Sequence, residues 1–469
     1  MPLTVLSDSN VQDILDQLTR DDILDLQLSL SDALHFYSTA TEADENSCSA
    51  SYQPQRTALK RNDGQTTLFM PASGTLGLGV KIVTLTEPDD SKGNSSGQHV
   101  SPASHSLSSL SISSSDHHPS PSISGTTSSS IYTRSSHSSK TPASSQTTVN
   151  THPPADPKPS STTPRGVITL LDESGNPRAL LNASEITAFR TALASSMLFT
   201  KRKSVHDITI FGAGKQAYWH IRLALLLRGA DVHHVNVINR SFGTAKAMMM
   251  NLLNTLPSHI PKPKIEILTP AHGEYDRLLK HYVRAASVIF CTVPSTEPLF
   301  PASYLMSAEG RKKGRYIAAI GSYKPHMVEL HPDILRQAVA PEHGHMHFHK
   351  HAKRGGAVIV DSVEACMREA GEVIQAGLTG REVVELGELV MLKRDAESRK
   401  RGKMEGDEGG VELNNKDEDE DGMSGLRDWL QRGNVIYKSV GLGLMDVTVG
   451  VELVKLADER EIGTRIEDF

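Results

Sequence analysis

Residues 208–217 read Ile208-Thr209-Ile210-Phe211-Gly212-Ala213-Gly214-Lys215-Gln216-Ala217. A short β-rich apolar run passes directly into Gly-x-Gly-x-x-Ala, and helical spacing continues over 216–227. Each small residue has a physical task. Gly212 permits the tight turn, Gly214 lets a pyrophosphate approach the backbone, and Ala217 lets the helix pack close to the strand. The helix start then offers free N–H groups and the positive end of its dipole to phosphate. Such glycines are weak evidence alone and strong evidence between a strand and a helix of a βαβ unit. Gly212, Ala213, Gly214, Lys215, Gln216 and Ala217 are therefore the candidate cofactor-binding turn.

Moving outward, apolar runs recur at 235–238, 265–268, 288–291, 316–320 and 358–360, most of them separated by helical segments. This alternation predicts a parallel, doubly wound sheet. Helices are expected at 364–376 and 381–392, a strand at 434–440 and a closing helix at 442–457. The second strand ends Ile238-Asn239-Arg240-Ser241. NAD-selective sites commonly place a carboxylate here to hold the ribose diol. Here Asn239, Arg240 and Ser241 offer no charge to repel a 2′-phosphate, and Arg240 can pair with one bidentately. NADP(H) is therefore preferred to NAD(H), the plain alternative being an exposed arginine. Thr292 and Val293 follow the strand ending at Cys291, at the carboxyl edge where ligands bind such sheets. Cys291 itself reads as a small strand residue rather than a nucleophile.

Upstream, 11–18 and 23–37 have amphipathic helical spacing, and 66–70, 78–85 and 167–171 read as strands. A turn is expected at 174–177, then a helix over 184–198 with Ser184 as its cap. Three cations, Arg56, Lys81 and Arg190, stand in segments that otherwise bury apolar residues. A buried cation is costly unless an anion meets it. They are either cations that meet an anion inside the fold or ordinary surface cations and structural ion pairs.

The 469 residues suffice for two or three domains, and the formal net charge of −6 gives no electrostatic reason to expect nucleic acid. Residues 91–163 are mostly Ser, Thr, Pro and His and cannot bury enough surface to offset chain entropy. Residues 398–425 join a basic cluster to an acidic run. Both read as disordered insertions, the first lengthening a hairpin connection. The expected organisation is a substrate and dimerisation domain from 1–90 and 164–204 with the helix 441–460, a nucleotide-binding domain over 205–397, and a return strand within 426–440. Three cysteines, Cys48, Cys291 and Cys366, form no disulfide framework. The first nine residues lack a secretory pattern, and no apolar stretch is long enough to span a bilayer. A cytoplasmic protein with no membrane partner is the expectation.

Four blocks in order carry a resemblance over nearly all of the ordered chain. They are Pro54-Gln55-Arg56 through Met70-Pro71-Ala72 to Gly79-Val80-Lys81; Thr187-Ala188-Phe189-Arg190-Thr191-Ala192; the glycine turn; and Lys438-Ser439-Val440-Gly441 leading to Asp446. The sequence resembles the ornithine cyclodeaminase/mu-crystallin family. The resemblance implies a homodimer and a Rossmann-type doubly wound α/β domain joined to a discontinuous α+β domain. It also implies that Arg56, Lys81 and Arg190 surround the carboxylate of an amino or imino acid beside the nicotinamide, and that Thr292 lies near the cofactor. Asp446 is either a contact of this site or a helix cap. The cyclodeaminases carry an aspartate in a Gly-x-Asp-x-Pro-Gly-Lys-x-Glu-Leu stretch, where it handles the substrate's terminal amine. Here the stretch runs from Gly321 to Leu330, with Tyr323 in place of the aspartate and Lys324 after it. This departure argues against ornithine and favours an NADPH-dependent ketimine reductase. Ornithine cyclodeamination, an alanine dehydrogenase-like activity, and NADPH or small-ligand binding without turnover stay open. Alternating histidines at 343, 345, 347, 349 and 351 match no family motif and read as a surface loop rather than a metal site.

Overall fold

The computed structural model describes residues 2–41, 47–62, 64–86, 164–340, 356–392 and 425–469, all within one compact unit. The first half of the chain folds as β1 (Leu3–Leu6), α1 (Asp8–Asp16), α2 (Arg20–Thr39), β2 (Thr57–Lys60), β3 (Gln65–Gly74), β4 (Gly77–Thr86), β5 (Arg165–Leu171), β6 (Pro177–Asn182) and α3 (Ala183–Phe199). The second continues with β7 (Asp207–Phe211), α4 (Lys215–Arg228), β8 (His234–Ile238), α5 (Phe242–Thr255), β9 (Lys264–Leu268), α6 (Tyr275–Ala285), β10 (Val288–Cys291), α7 (Ser303–Met306) and β11 (Tyr316–Ala319). Then come α8 (Pro332–Val339), β12 (Val358–Val360), α9 (Val363–Glu369), α10 (Gly371–Ala376), β13 (Val383–Glu385), β14 (Val435–Lys438), a closing helix (Gly443–Glu459) and β15 (Thr464–Ile466).

These strands form two sheets. One runs β15-β1-β6-β5-β4-β3-β2 and the other β13-β12-β14-β11-β10-β7-β8-β9. Every pairing in the second is parallel. The strands at its centre, β10, β11 and β14, are buried along their whole length. Burial on both faces explains why their sequences show apolar runs instead of alternation. In the first sheet, β4 and β5 pair antiparallel with Thr84 opposite Arg165. The two strands flanking the Ser-rich insertion are thus neighbours, as a lengthened hairpin requires. That insertion, 398–424 and the histidine run at 343–351 lie outside the described residues.

α3 carries buried residues on all sides, because it is packed by α1, α2, α4, the closing helix and β5. A helix covered all round has no polar face to solvate, so any charge on it must find a partner inside the protein.

Three expectations are corrected. The cap of α3 is Asn182, whose side chain accepts from the Ser184 N–H, so Ser184 lies inside the helix. The helix expected over 364–376 is two, separated at Ala370, whose backbone is extended with φ −84° and ψ 103°, and the second begins at Gly371, which packs on the Met327 carbonyl with no room for a side chain. The stretch 381–392 begins as β13, its β-branched Val383-Val384 pairing beside β12, and turns helical only at Leu386. The expected return strand is β14, which sits between β11 and β12 inside the parallel sheet.

Candidate active site

The turn after β7 has the conformation its glycines allow. Gly212 has φ +106°, and a Cβ there would sit 2.8 Å from Thr292 Oγ1 and 3.1 Å from Val293 Cγ2. Thr292 and Val293 therefore lie directly beside the turn. At Gly214 a Cβ would meet nothing within 4 Å, and no side chain caps the start of α4 behind it. Open space in front of uncapped N–H groups, at the head of a 14-residue helix, fits the phosphates of a dinucleotide. Ala217 is fully buried, as close packing of strand and helix demands. Ala213 is half-buried between the two glycines.

Lys215 and Gln216 use their side chains elsewhere. The Lys215 ammonium binds Glu185 Oε1 at 2.7 Å, Ser184 Oγ at 2.8 Å and Asp8 Oδ2 at 3.3 Å. The Gln216 amide donates to the Thr187 carbonyl at 3.4 Å. Only their backbone N–H groups are placed to face a phosphate, while the side chains tie α4 to the start of α3. At the end of β8, Asn239 Nδ2 donates to the Ser241 carbonyl at 2.8 Å, and Ser241 Oγ caps α5 by accepting from the Thr244 N–H. The two polar neighbours shape the turn, and Arg240 between them is exposed.

The predicted cations come from three distant segments. Lys81 faces Met70 across β3 and Ile168 across β5. Arg190 lies mid-way along α3, one turn beyond the Thr187 carbonyl that holds Gln216. Both reach one carboxylate oxygen. Asp446 Oδ1 accepts from Lys81 Nζ at 2.9 Å and from Arg190 Nε at 3.2 Å. Lys81 is 2% exposed, Arg190 4% and Asp446 0%. Asp446 Oδ2 is buried too and has no hydrogen-bond donor. Asp446 lies in the first turn of the closing helix, where a negative charge also suits the helix dipole, but the helix cap is Leu442. Burial pushes the Lys81 ammonium down to about 8. Asp446 opposes that fall, and the charges of Arg190 and Arg56 add to it.

Arg56 completes the group from the loop before β2. It pairs with Glu369 on α9 and is mostly buried. Burial lowers its pKa, Asp361 opposes this, and Arg368 and Arg190 reinforce it. The three cations thus feel one another's fields. They line or adjoin a pocket formed by Gln55, Arg56, Met70, Glu369 and Gly441. The sequence left these cations either to a ligand's anion or to ordinary surface positions and structural ion pairs. In the structure each already has a resident carboxylate.

A second buried network lies under the carboxyl edge of the large sheet. Glu329 accepts from the N–H groups of Val293 at 2.8 Å and Gly321 at 2.6 Å. Lys438 Nζ donates to Ser322 Oγ at 2.7 Å and lies 3.2 Å from Glu372. Burial raises Glu329 to about 7, with Lys438 pulling the other way. Tyr323 follows Ser322 and is half-buried. Glu329, Glu372, Glu369 and Asp361 were not singled out in the sequence. Asp361 follows β12, Glu369 and Glu372 lie on short helices and Glu329 lies in the loop between β11 and α8, and only the fold shows which groups each of them meets. Cys291 is fully buried and its thiol is pushed well up by burial, which suits a packing residue.

Among the described residues, no helix is long and apolar enough to cross a membrane. A family model described as the ornithine cyclodeaminase/mu-crystallin family matches residues 133–386, more than half of the chain. Over 314 residues the chain is 28% identical to an uncharacterized protein of Saccharomyces cerevisiae, covering 62% of this chain and 74% of that one. It is 26% identical over 312 residues to a Delta(1)-pyrroline-2-carboxylate reductase of Bacillus cereus, covering 64% and 74%. Among solved structures, the Thermococcus litoralis Delta(1)-pyrroline-2-carboxylate reductase in complex with NADH and L-proline aligns with a TM-score of 0.58 at 17% identity, over 98% and 99% of the two chains. That last likeness is one of fold.

Proposed function

The chain belongs to the ornithine cyclodeaminase/mu-crystallin family, and on that premise we propose that it is an NADP(H)-dependent oxidoreductase that reduces the C=N bond of a small imino acid. One observation carries this reading: Lys81 and Arg190, from different elements of the fold, converge in a buried site on Asp446, with Arg56 close enough to influence them electrostatically.

The residues divide the task. The turn Gly212 to Ala217 holds the pyrophosphate by backbone N–H groups, with Thr292 and Val293 beside it. When bound, the dihydronicotinamide supplies the hydride that the imine carbon takes. Arg56, Lys81 and Arg190 bind the substrate carboxylate and orient that carbon. Asp446 holds Lys81 and Arg190 in place before substrate arrives, so that little rearrangement is needed on binding. With a pKa of about 8, Lys81 is also the cation best matched to giving up a proton near neutral pH. Tyr323 stands in the sequence where an amine-binding aspartate would be needed for ornithine. NADP(H) is preferred to NAD(H) because Asn239, Arg240 and Ser241 present no carboxylate and one exposed guanidinium. The β1–β6 sheet with α3 and the closing helix forms the substrate and dimerisation half, and exposed Leu59, Leu76 and Leu78 are apolar surface available to a second copy. Its three cysteines, buried and not joined in a disulfide, are compatible with a cytoplasmic setting.

The test is oxidation of NADPH and of NADH with five- and six-membered cyclic ketimine acids, read at 340 nm, with ornithine and alanine offered in reverse. NADPH consumption with a ketimine acid supports the proposal. Ammonia release from ornithine without net cofactor change refutes it in favour of cyclodeamination.

A further inference from the structure

Asp361 has no role in the chemistry above, yet it lies behind two of the three cations. It follows β12 and is 1% exposed. Its carboxylate accepts from Ser439 Oγ at 2.7 Å and from the N–H groups of Val440 at 3.1 Å and Gly441 at 2.6 Å. The Ser362 N–H adds a fourth bond at 3.1 Å. Asp361 thus gathers the short turn that joins β14 to the closing helix.

That turn is the wall against which Arg190 lies. Gly441 has φ +88°, and a Cβ there would sit 2.7 Å from Arg190 Nη2 and 3.1 Å from Nη1. The guanidinium is held at Nε by Asp446, its Nη1 lies 3.5 Å from Met445 Sδ, and the Gly441 backbone that Asp361 fixes passes beside its terminal nitrogens with no room for a side chain. Asp361 also acts on Arg56 through space. Its charge is the largest influence opposing what burial does to that guanidinium.

We propose that Asp361 is a positioning residue, which sets Arg190 through the Gly441 turn so that its guanidinium meets the carboxylate of the substrate. This rests on the imino-acid reading, because it presumes that a carboxylate binds there. Asp361 touches neither cation within ion-pair distance, so its effect should appear in recognition of the acid group and not in dinucleotide binding.

The experiment compares wild type with Asp361→Asn in the full chain. NADPH affinity is read by fluorescence titration. Inhibition by L-proline and L-pipecolate is compared with inhibition by their uncharged amides. Asp361→Asn is expected to keep NADPH affinity within about twofold and to weaken both acids about tenfold or more, while the amides change by less than about twofold. The loss should lie in KM rather than kcat. Gly441→Ala, whose methyl would press on the guanidinium, and Ser439→Ala, which removes one donor to Asp361, should weaken the acids in the same selective way. They decide the matter if Asp361→Asn does not fold. Unchanged acid affinity, or equal loss for acid and amide, overturns the proposal. A wild type that shows no preference for acid over amide overturns the imino-acid reading, and this proposal with it. Preference in wild type that survives in the variants overturns this proposal alone.

Discussion

Asp446→Asn removes the charge that Lys81 and Arg190 share while keeping the side chain's shape. The cost can be worked from their different chemistry. Lys81 already sits at about 8. At pH 7 its further penalty stops growing once the amine loses its proton, so it contributes at most roughly 1.4 kcal/mol, the equivalent of one pKa unit. Arg190 cannot escape by deprotonation. It loses a charge-assisted hydrogen bond in a buried site, which costs about 1.5–3 kcal/mol. The variant should therefore be about 3–4 kcal/mol less stable at pH 7, within the range for breaking a buried pair. The sign of the pH dependence follows. Without Asp446 the folded Lys81 binds protons less readily than in wild type, so the deficit grows as pH falls below about 8. By pH 9, where Lys81 is mostly neutral in both proteins, only the Arg190 share remains. The assay is urea unfolding followed by the fluorescence of Trp219 and Trp429 at pH 6, 7 and 9, repeated in a Lys81→Met background, where the pH-dependent part should vanish. A deficit below about 1 kcal/mol at pH 7, or one that does not change between pH 6 and pH 9, would refute the claim that Asp446 supports both cations.

Three further outcomes follow from the same geometry. In wild type, KM for the imino acid should be flat below about pH 8 and rise towards tenfold per unit above it, as Lys81 loses its charge; Lys81→Gln should have a high KM without that break, measured by initial rates across pH 6–10. Gly212→Ala meets both a positive φ and Thr292 Oγ1 at 2.8 Å, so dinucleotide affinity should fall by about a hundredfold or more, and affinity unchanged in a fluorescence titration would contradict the placement of the turn. Arg240→Ala should weaken NADPH about 10- to 100-fold, the worth of one charge-assisted contact, and leave NADH unaffected; equal changes for both cofactors would remove the case for a 2′-phosphate contact.

How much of this was legible beforehand varies with the physics. The parallel sheet was, because strands buried on both faces must be apolar runs, and 208–211, 235–238, 265–268 and 288–291 all match β7 to β10 within a residue. The caps and breaks were less so. Asn182 displaced Ser184, and the helical periodicity of 364–376 is interrupted at Ala370, just before Gly371 packs on a carbonyl from a distant loop.

The site divides along the same line. The linear chain determined the glycine turn, whose strain and openness are local properties of Gly212 and Gly214, and it marked Arg56, Lys81 and Arg190 as charges out of keeping with their apolar neighbours. It also supplied Asp446, without saying whether that residue began a helix or met a ligand. Tertiary structure alone decided that two of those cations share one oxygen of Asp446, that Glu369 takes the third, and that Asp361 holds the turn beside Arg190. Ion pairing depends on separation in space, and these partners lie hundreds of residues apart in the chain: 365 between Lys81 and Asp446, and 256 between Arg190 and Asp446. No local pattern can encode such a meeting; it exists only once both sheets and the closing helix have packed.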